Sequence, residues 1–315
     1  MRSPSASVFR NRSGLLPGLA RLWYGAFISQ RWTIGTGASA GYADLGWLDS
    51  AELSAPLAHG DFLADPFFVP HTGGRVLLCE WMQVRRGRGV IARVELDHAG
   101  KIAGLRTLIE WAPYHLSYPH IFEYQGELYC CPEACYSRTV RLFRLDSRAE
   151  RIIDSRNVFE RFASVDPTIF EYQGRWWLFC TSADRGESNS TLYAFHAESP
   201  FGPWAPHAGN PIVVDSGSAR PAGRVMQMDG RVFRPAQDCS IRYGGSLKMF
   251  EIEKLTPSEY SQKLVWHLSP PVGPRGKHGV HTINSDDGFT VYDAYTERFS
   301  PVAWLHRLQE RLRSE

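Results

Sequence analysis

Ile121-Phe-Glu-Tyr-Gln-Gly126 and Ile169-Phe-Glu-Tyr-Gln-Gly174 are the same six residues, each with a proline two positions upstream, Pro119 and Pro167. Each is followed by an apolar run, Glu127–Cys131 or Arg175–Cys180, so that two extended segments flank a Gln-Gly turn, the pattern of a β-hairpin. Looser copies surround the pair. Asp65-Pro66 leads through Gly73-Gly74 to Arg75–Glu80, Arg220-Pro221 leads through Gly230 to Arg231–Asp238, and Val280-His281 leads through Gly288 to Phe289–Asp293. The anchors fall at 66, 119, 167, 221 and 281, a spacing of roughly fifty residues that points to a repeat architecture.

Between the hairpins lie further strand-like runs, Gly89–Leu96, Thr139–Leu145 and Thr191–His196, which bring each copy to about four strands. Four strands per repeat is a propeller blade, and five copies predict an all-β, five-bladed β-propeller over residues 31–300. Residues 1–30 read as an N-terminal extension with a short helix around Leu19–Phe27. Residues 301–315 read as a C-terminal amphipathic helix, because only Val302–Arg313 sustains a helical period. Arg31–Ile34 reads as a strand, and the glycine-rich Gly35–Ala40 after it reads as a loop. No amphipathic helix opens directly behind that loop, as a dinucleotide site requires.

Composition narrows the function. The chain has 315 residues, is 43% hydrophobic and carries a net charge of +2, an ordinary globular balance with no electrostatic case for nucleic acid. Leu15–Ile28 is interrupted by Gly, Pro and Arg and falls short of a transmembrane segment. Of the six cysteines, four lie in or at the end of apolar runs and no paired Cys-x-x-Cys motif is present, so the reading is reduced thiols and a cytoplasmic location. Ten tryptophans could stack on sugars or fill the wedges between sheets; composition leaves both open.

In a propeller the starts of first strands and the ends of second strands share one face. The starts offer Asp65, Tyr118, His120, Asp166, Arg220 and His281; the ends offer Glu80, Glu133, Asp184, Gln237, Asp238, Asp293 and Tyr295. Residues far apart in sequence thus converge on one polar funnel. His278, His281 and Asp293 have the chemistry of a metal site. A hydrogen-bonded channel histidine is the favoured reading, and no metal or other cofactor is expected.

The five-bladed pattern, with Asp-Pro opening the first and third blades and with Glu198-Ser-Pro-Phe-Gly-Pro-Trp204 on an outer strand, resembles the superfamily of arabinanases, invertases and levansucrases. More closely, Trp32 to about Phe299 is similar to the N-terminal domain of the glucosamine inositolphosphorylceramide transferases of plants and their bacterial relatives. The first resemblance implies Asp65 as base or nucleophile and Asp166 as the residue that positions the sugar and tunes the acid. Cleavage protonates the leaving oxygen on one face while the opposite face is attacked, hence two carboxyl groups. The acid implied near the start of the fourth blade is missing, because Arg220 stands there; Glu133 or Asp238 could replace it from strand ends. Arg220 suits an anionic group, with Arg234 and Arg224 adding to the basic side. The remaining funnel residues, Glu80, Tyr118, His120, Gln237, His281, Asp293 and Tyr295, are expected to bind substrate. The partner expected is a glycan, a phosphosugar or an activated sugar, with a separate glycosyltransferase as a possible protein partner. Transfer or hydrolysis in surface polysaccharide or glycolipid metabolism competes with a non-catalytic glycan-binding module.

Overall fold

The computed structural model describes residues 28–38, 57, 60–269, 279–286 and 288–299. The expected helices at Leu19–Phe27 and in 301–315 lie outside these residues, as does His278.

Four blades are meanders of four antiparallel strands. Blade one is β2 (Phe62–Phe68), β3 (Val76–Gln83), β4 (Arg88–Leu96) and β5 (Ile102–Ile109); blade two is β6 (Ser117–Tyr124), β7 (Glu127–Glu133), β8 (Thr139–Leu145) and β9 (Ile152–Glu160). Blade three is β10 (Ser164–Tyr172), β11 (Arg175–Ser182), β12 (Thr191–Ala197) and β13 (Ala205–Pro206), with the short β14 (Val213–Val214) also paired to β12. Blade four is β15 (Met226–Met228), β16 (Arg231–Asp238), β17 (Ser246–Leu255) and β18 (Tyr260–Leu268). Blade five joins both ends of the chain: β19 (Ile283–Asp286) pairs with β20 (Phe289–Phe299), and β1 (Ile28–Ala38) adds to β20. The five-bladed propeller expected from the repeat is the observed fold.

Three details differ from the sequence reading. Gly35–Ala38 are not loop but the end of β1, opposite Tyr292 to Phe289. A Cβ on Gly35 would lie 2.3 Å from Tyr292 Cζ, so glycine serves close packing there. Glu198–Trp204 forms the bend between β12 and β13 rather than a strand. The inner strand of blade four is broken, with only Pro221 bridging Ala236 before β15 begins. Gly223 breaks it: with φ +144 its backbone runs against blade five, where a Cβ would meet the Ile283 carbonyl at 2.1 Å.

The apolar core lies in five wedges between blades rather than on the axis. Phe67, Leu78, Ile121 and Leu128 join blades one and two; Tyr129, Leu142, Trp176 and Phe195 join two and three. Phe179, Leu192, Val232 and Ile252 join three and four, Phe233, Met249 and Tyr292 join four and five, and Ile34, Phe68, Leu77 and Val291 join five and one. Among the described residues every tryptophan but Trp32 belongs to one of these wedges, and Trp32 packs with Ala64 and Tyr295 between blades five and one, which decides the tryptophan question for the core.

Candidate functional site

The site starts from a backbone device repeated three times. In blades one, two and three the pairing slips by one residue at the X-Pro step: between Ala64 and Phe67, Ser117 and His120, and Val165 and Thr168. The residue before proline then takes a left-handed backbone, with φ 49 at Asp65, 43 at Tyr118 and 50 at Asp166. Bulges re-aim side chains, and a non-glycine residue held at positive φ costs on the order of 1–3 kcal/mol, which points to a site that needs the conformation.

Asp65 and Asp166 lie at the same end of the propeller, close enough that the charge of Asp65 raises Asp166. Around Asp65 the contacts are dense. Its Oδ2 accepts the Tyr118 N–H at 3.1 Å and its Oδ1 accepts the Thr282 hydroxyl at 2.5 Å. Asp293 holds the fifth blade to the first: Oδ2 accepts the Asp65 N–H at 2.9 Å, and Oδ1 accepts the N–H groups of His281 and Thr282 at 3.1 and 2.9 Å. His281 Nδ1 donates to Asp293 Oδ2 at 2.6 Å, and Trp32 stacks on the imidazole at 3.8 Å. Burial alone would depress His281, but Asp293 and Asp65 push it up to about 9. Burial lifts Asp65 to about 6, against the pull of His281.

The second half of the site surrounds Asp166. Arg220 Nε donates to Asp166 Oδ2 at 2.7 Å, Gln237 Nε2 donates to the same oxygen at 3.2 Å, and Arg220 Nη1 donates to Asn189 Oδ1 at 3.0 Å. The Arg220 guanidinium also lies over the Tyr243 ring, 4.8 Å from its centroid. Glu133 Oε2 accepts the Asp166 N–H at 3.0 Å, which brings the two carboxyl groups side by side. Burial, then the neighbouring Asp166 charge, raises Glu133 to about 7. The pair is polarised: Arg220 favours charge on Asp166, and Glu133 keeps its proton up to neutral pH.

These contacts sort the residues expected from sequence. Asp65, Asp166, Glu133, Arg220, His281, Asp293 and Gln237 are brought together. Glu80 joins them at the edge, where it raises Asp65 and pairs with His115 Nε2 at 3.3 Å. Others are placed elsewhere. Asp238 pairs with Lys248 at 2.8 Å, and its carboxyl is held low despite partial burial, the wrong direction for a proton donor. Arg234 is buried inside blade four, donating to Tyr260, Gln262 and the Ser218 carbonyl, and does not line the funnel. Asp184 pairs with Arg138 on the rim.

Tyr118 and His120 serve the axis rather than a ligand. The Tyr118 hydroxyl sits among Thr168 Oγ1 and the Gly223 carbonyl and N–H at 2.9–3.0 Å, a closed set. His120 donates through Nε2 to the Ile169 carbonyl at 2.7 Å, and burial drives it down to about 3, so it stays neutral. Tyr295 is fully buried under Trp32. Arg224 reaches the Phe68 carbonyl across the same axis.

Sequence reasoning missed Trp32, Thr282, Asn189 and Tyr243. None lies at an anchor or strand end of the repeat, so periodicity gives no signal for them. Nor do the carboxylates fit a metal readily. Asp65, His281 and Asp293 offer atoms within 4.8 Å of one another, but all four carboxylate oxygens already accept hydrogen bonds and the imidazole Nδ1 is bonded to Asp293. An ion there would have to share the oxygens whose hydrogen bonds join the blades.

The cluster also sets a pH dependence. Asp65, Glu133 and His281 stand at about 6, 7 and 9 against ordinary values of 3.8, 4.5 and 6.5. All three hold protons more tightly when folded, so their contribution is complete below the ordinary values and is lost as pH rises through the folded ones. Thermal melts are therefore expected to show a falling Tm between pH 6 and about 9. A rising Tm across that window contradicts the assignment.

The model of the family described as "Glucosamine inositolphosphorylceramide transferase 1, N-terminal" matches residues 47–281. Glucosamine inositolphosphorylceramide transferase 1 of Oryza sativa subsp. japonica is 34% identical over 212 residues, covering 64% of this chain and 28% of that protein. The Arabidopsis thaliana protein of the same name is 31% identical over the same length, covering 27% of that protein. The chain thus spans little more than a quarter of these relatives. Among solved structures, an exo-β-1,3-galactanase from Clostridium thermocellum superposes with a TM-score of 0.52 at 12% identity, covering 70% of this chain and 53% of that one. A GH43 β-1,3-galactosidase bound to galactodeoxynojirimycin gives 0.51 at 12% identity, covering 70% and 81%. At such identities the likeness shows the propeller fold alone.

Proposed function

We propose, for a chain that belongs to the family of glucosamine inositolphosphorylceramide transferase N-terminal domains, that this mouth acts on glycosidic bonds in glycolipid or surface polysaccharide metabolism. Family membership and the propeller fold are the premises; the carbohydrate chemistry is our reading of the site. The observation that carries it is the division of labour among the three carboxyls. Glu133 retains its proton to about 7, beside an Asp166 that burial raises and that Arg220 draws back toward the carboxylate form. Glu133 is then the proton donor to a leaving oxygen, Asp65 the base or nucleophile, and Asp166 with Gln237 the pair that orients the sugar and Glu133. Arg220 is engaged with Asp166 and Asn189, so it organises the acid pair first and meets an anionic substituent, such as a phosphosugar, only through its remaining nitrogen.

A screen of aryl glycosides and activated sugar donors tests this. Glu133→Gln is expected to reduce turnover about 10²–10⁴-fold and to remove the activity decline above about pH 7. The loss should shrink on substrates whose leaving group needs no proton. Equal loss on every leaving group removes Glu133 as the acid.

One observation favours a second reading, a glycan-binding module serving a separate glycosyltransferase. Both Asp65 oxygens already accept hydrogen bonds from Tyr118 and Thr282, which suits a structural carboxylate as well as a nucleophile. Glycan binding with no turnover on any donor supports that reading.

A further inference from the structure

Most carboxyl groups of the mouth are committed to holding the fold. Asp293 accepts the Asp65 N–H, Asp65 accepts the Tyr118 N–H, and Glu133 accepts the Asp166 N–H, so each of them grips the next blade. Asp166 is engaged by Arg220 and Gln237. Glu80 departs from this pattern. It is buried near the end of β3, opposite Ala64 and so beside Asp65, whose proton its charge helps to retain. Among the described residues it accepts no backbone N–H, and its side-chain partner is His115, with Nε2 3.3 Å from Oε1. Burying a carboxylate is costly unless other contacts offset its lost hydration, and no bond between blades offsets this one.

The chain nevertheless braces Glu80 from behind. His115, in the segment between β5 and β6, accepts the Gly89 N–H on Nδ1 at 2.8 Å, and the Leu116 N–H donates to the Gly89 carbonyl at 3.0 Å. With Nδ1 used as an acceptor, the ring hydrogen of a neutral imidazole is on Nε2, the nitrogen nearest Glu80. Position 89 has no room for a side chain. A Cβ there would lie 2.4 Å from the Leu116 carbonyl oxygen and 2.9 Å from Glu80 Oε1. Backbone, imidazole and carboxylate form a fixed row that ends beside Asp65, and Glu80 Oε2 is left without a hydrogen-bond partner among the described residues.

Resting on the reading of the mouth as a sugar site, we propose that Glu80 determines specificity by accepting one ring hydroxyl of that sugar, and that His115 is the residue that positions it. An ionised carboxylate only accepts, and a hydroxyl donates to it along a short, charge-assisted bond. Arg220, on blade four, offers N–H donors instead. The two give the mouth a polarity, so a bound sugar is oriented with a donating hydroxyl toward blade one and its accepting or anionic side toward blade four. A sugar that lacks the hydroxyl leaves Glu80 without a partner, the circumstance in which a polar site discriminates most strongly. The orientation is the same for a mouth that cleaves and for one that only binds.

The test uses p-nitrophenyl glucosides and galactosides with their monodeoxy derivatives, read as kcat/KM where turnover occurs and as Kd by calorimetry where it does not. In the unaltered protein, loss of one particular hydroxyl is expected to cost about 10–100-fold. Glu80→Gln should reduce that penalty to a few-fold and leave the penalties at other positions in place. Its melting temperature should not fall, because no blade depends on this carboxylate. Two variants separate positioning from folding. His115→Asn keeps an acceptor for the Gly89 N–H but has nothing in place of Nε2, and should show the same reduced penalty as Glu80→Gln. His115→Gln keeps a donor in place of Nε2 and should restore most of the discrimination. Deoxy penalties that Glu80→Gln leaves unchanged at every position overturn the inference alone, and the wild-type pattern in His115→Asn removes the positioning role. Binding without turnover, with the Glu80-dependent penalty present in Kd, supports it and counts only against the cleavage chemistry. A chain that binds none of these sugars overturns it together with the reading on which it rests.

Discussion

Asp65→Asn is expected to reduce turnover by about 10²–10⁴-fold while leaving sugar affinity within a few-fold. The substitution is nearly isosteric and suits the local hydrogen bonds. Its amide oxygen can accept the Tyr118 N–H, and its amide nitrogen can donate to the Thr282 hydroxyl, which both donates and accepts. The left-handed backbone at position 65 also tolerates asparagine as well as aspartate. The bulge and the Pro66 step therefore stay in place, and what disappears is the charge. His281 loses one of the two carboxylates that lift it to about 9, so its titration, followed by NMR, should move down. This gives the variant a readout that does not require a substrate. Kinetics then separates the two readings of the mouth. A protein that binds glycans without turnover has nothing to lose at this position, and its affinity should hardly change. Unchanged turnover in a chain that does act on a sugar removes Asp65 from the chemistry.

Asp293→Ala is expected to be the most destabilising single change, by roughly 3–5 kcal/mol, because it leaves buried donors and a buried cation without their acceptor. Asp293 is fully buried and accepts from three backbone N–H groups, those of Asp65, His281 and Thr282, as well as from His281 Nδ1. One of these is the start of blade one and the others lie just before β19, so the carboxylate ties the last blade to the first. Urea unfolding measures the loss. Asp293→Asn keeps one acceptor oxygen and the shape, and should cost markedly less than alanine. Equal losses for alanine and asparagine would mean that the charge opposite His281, not the hydrogen bonding to the backbone, carries the stability. Losses below about 1 kcal/mol for both would remove the clasp altogether.

The repeat Ile-Phe-Glu-Tyr-Gln-Gly and its three looser relatives determined the blade number, because a hairpin that cannot bury its own faces must stack on copies of itself. They also placed Asp65, Asp166, Glu133, Arg220, His281 and Asp293 at one end, since strand starts and second-strand ends share a face in an antiparallel meander. Partnership was beyond the repeat's reach. Asp238 and Glu133 occupy similar strand ends, yet one is neutralised by Lys248 and the other is desolvated against Asp166, and only packing distinguishes them. Arg220 stands where an acid was expected, and its effect depends on the Asp166 carboxylate 2.7 Å away. The closing strand was equally hidden. Trp32 is one tryptophan among ten in the sequence, and it becomes the platform under His281 only because β1 adds to β20 across the whole length of the chain. Local pattern fixes periodicity and face; charge state and closure depend on which distant side chains share a desolvated space, and that is a property of the folded chain alone.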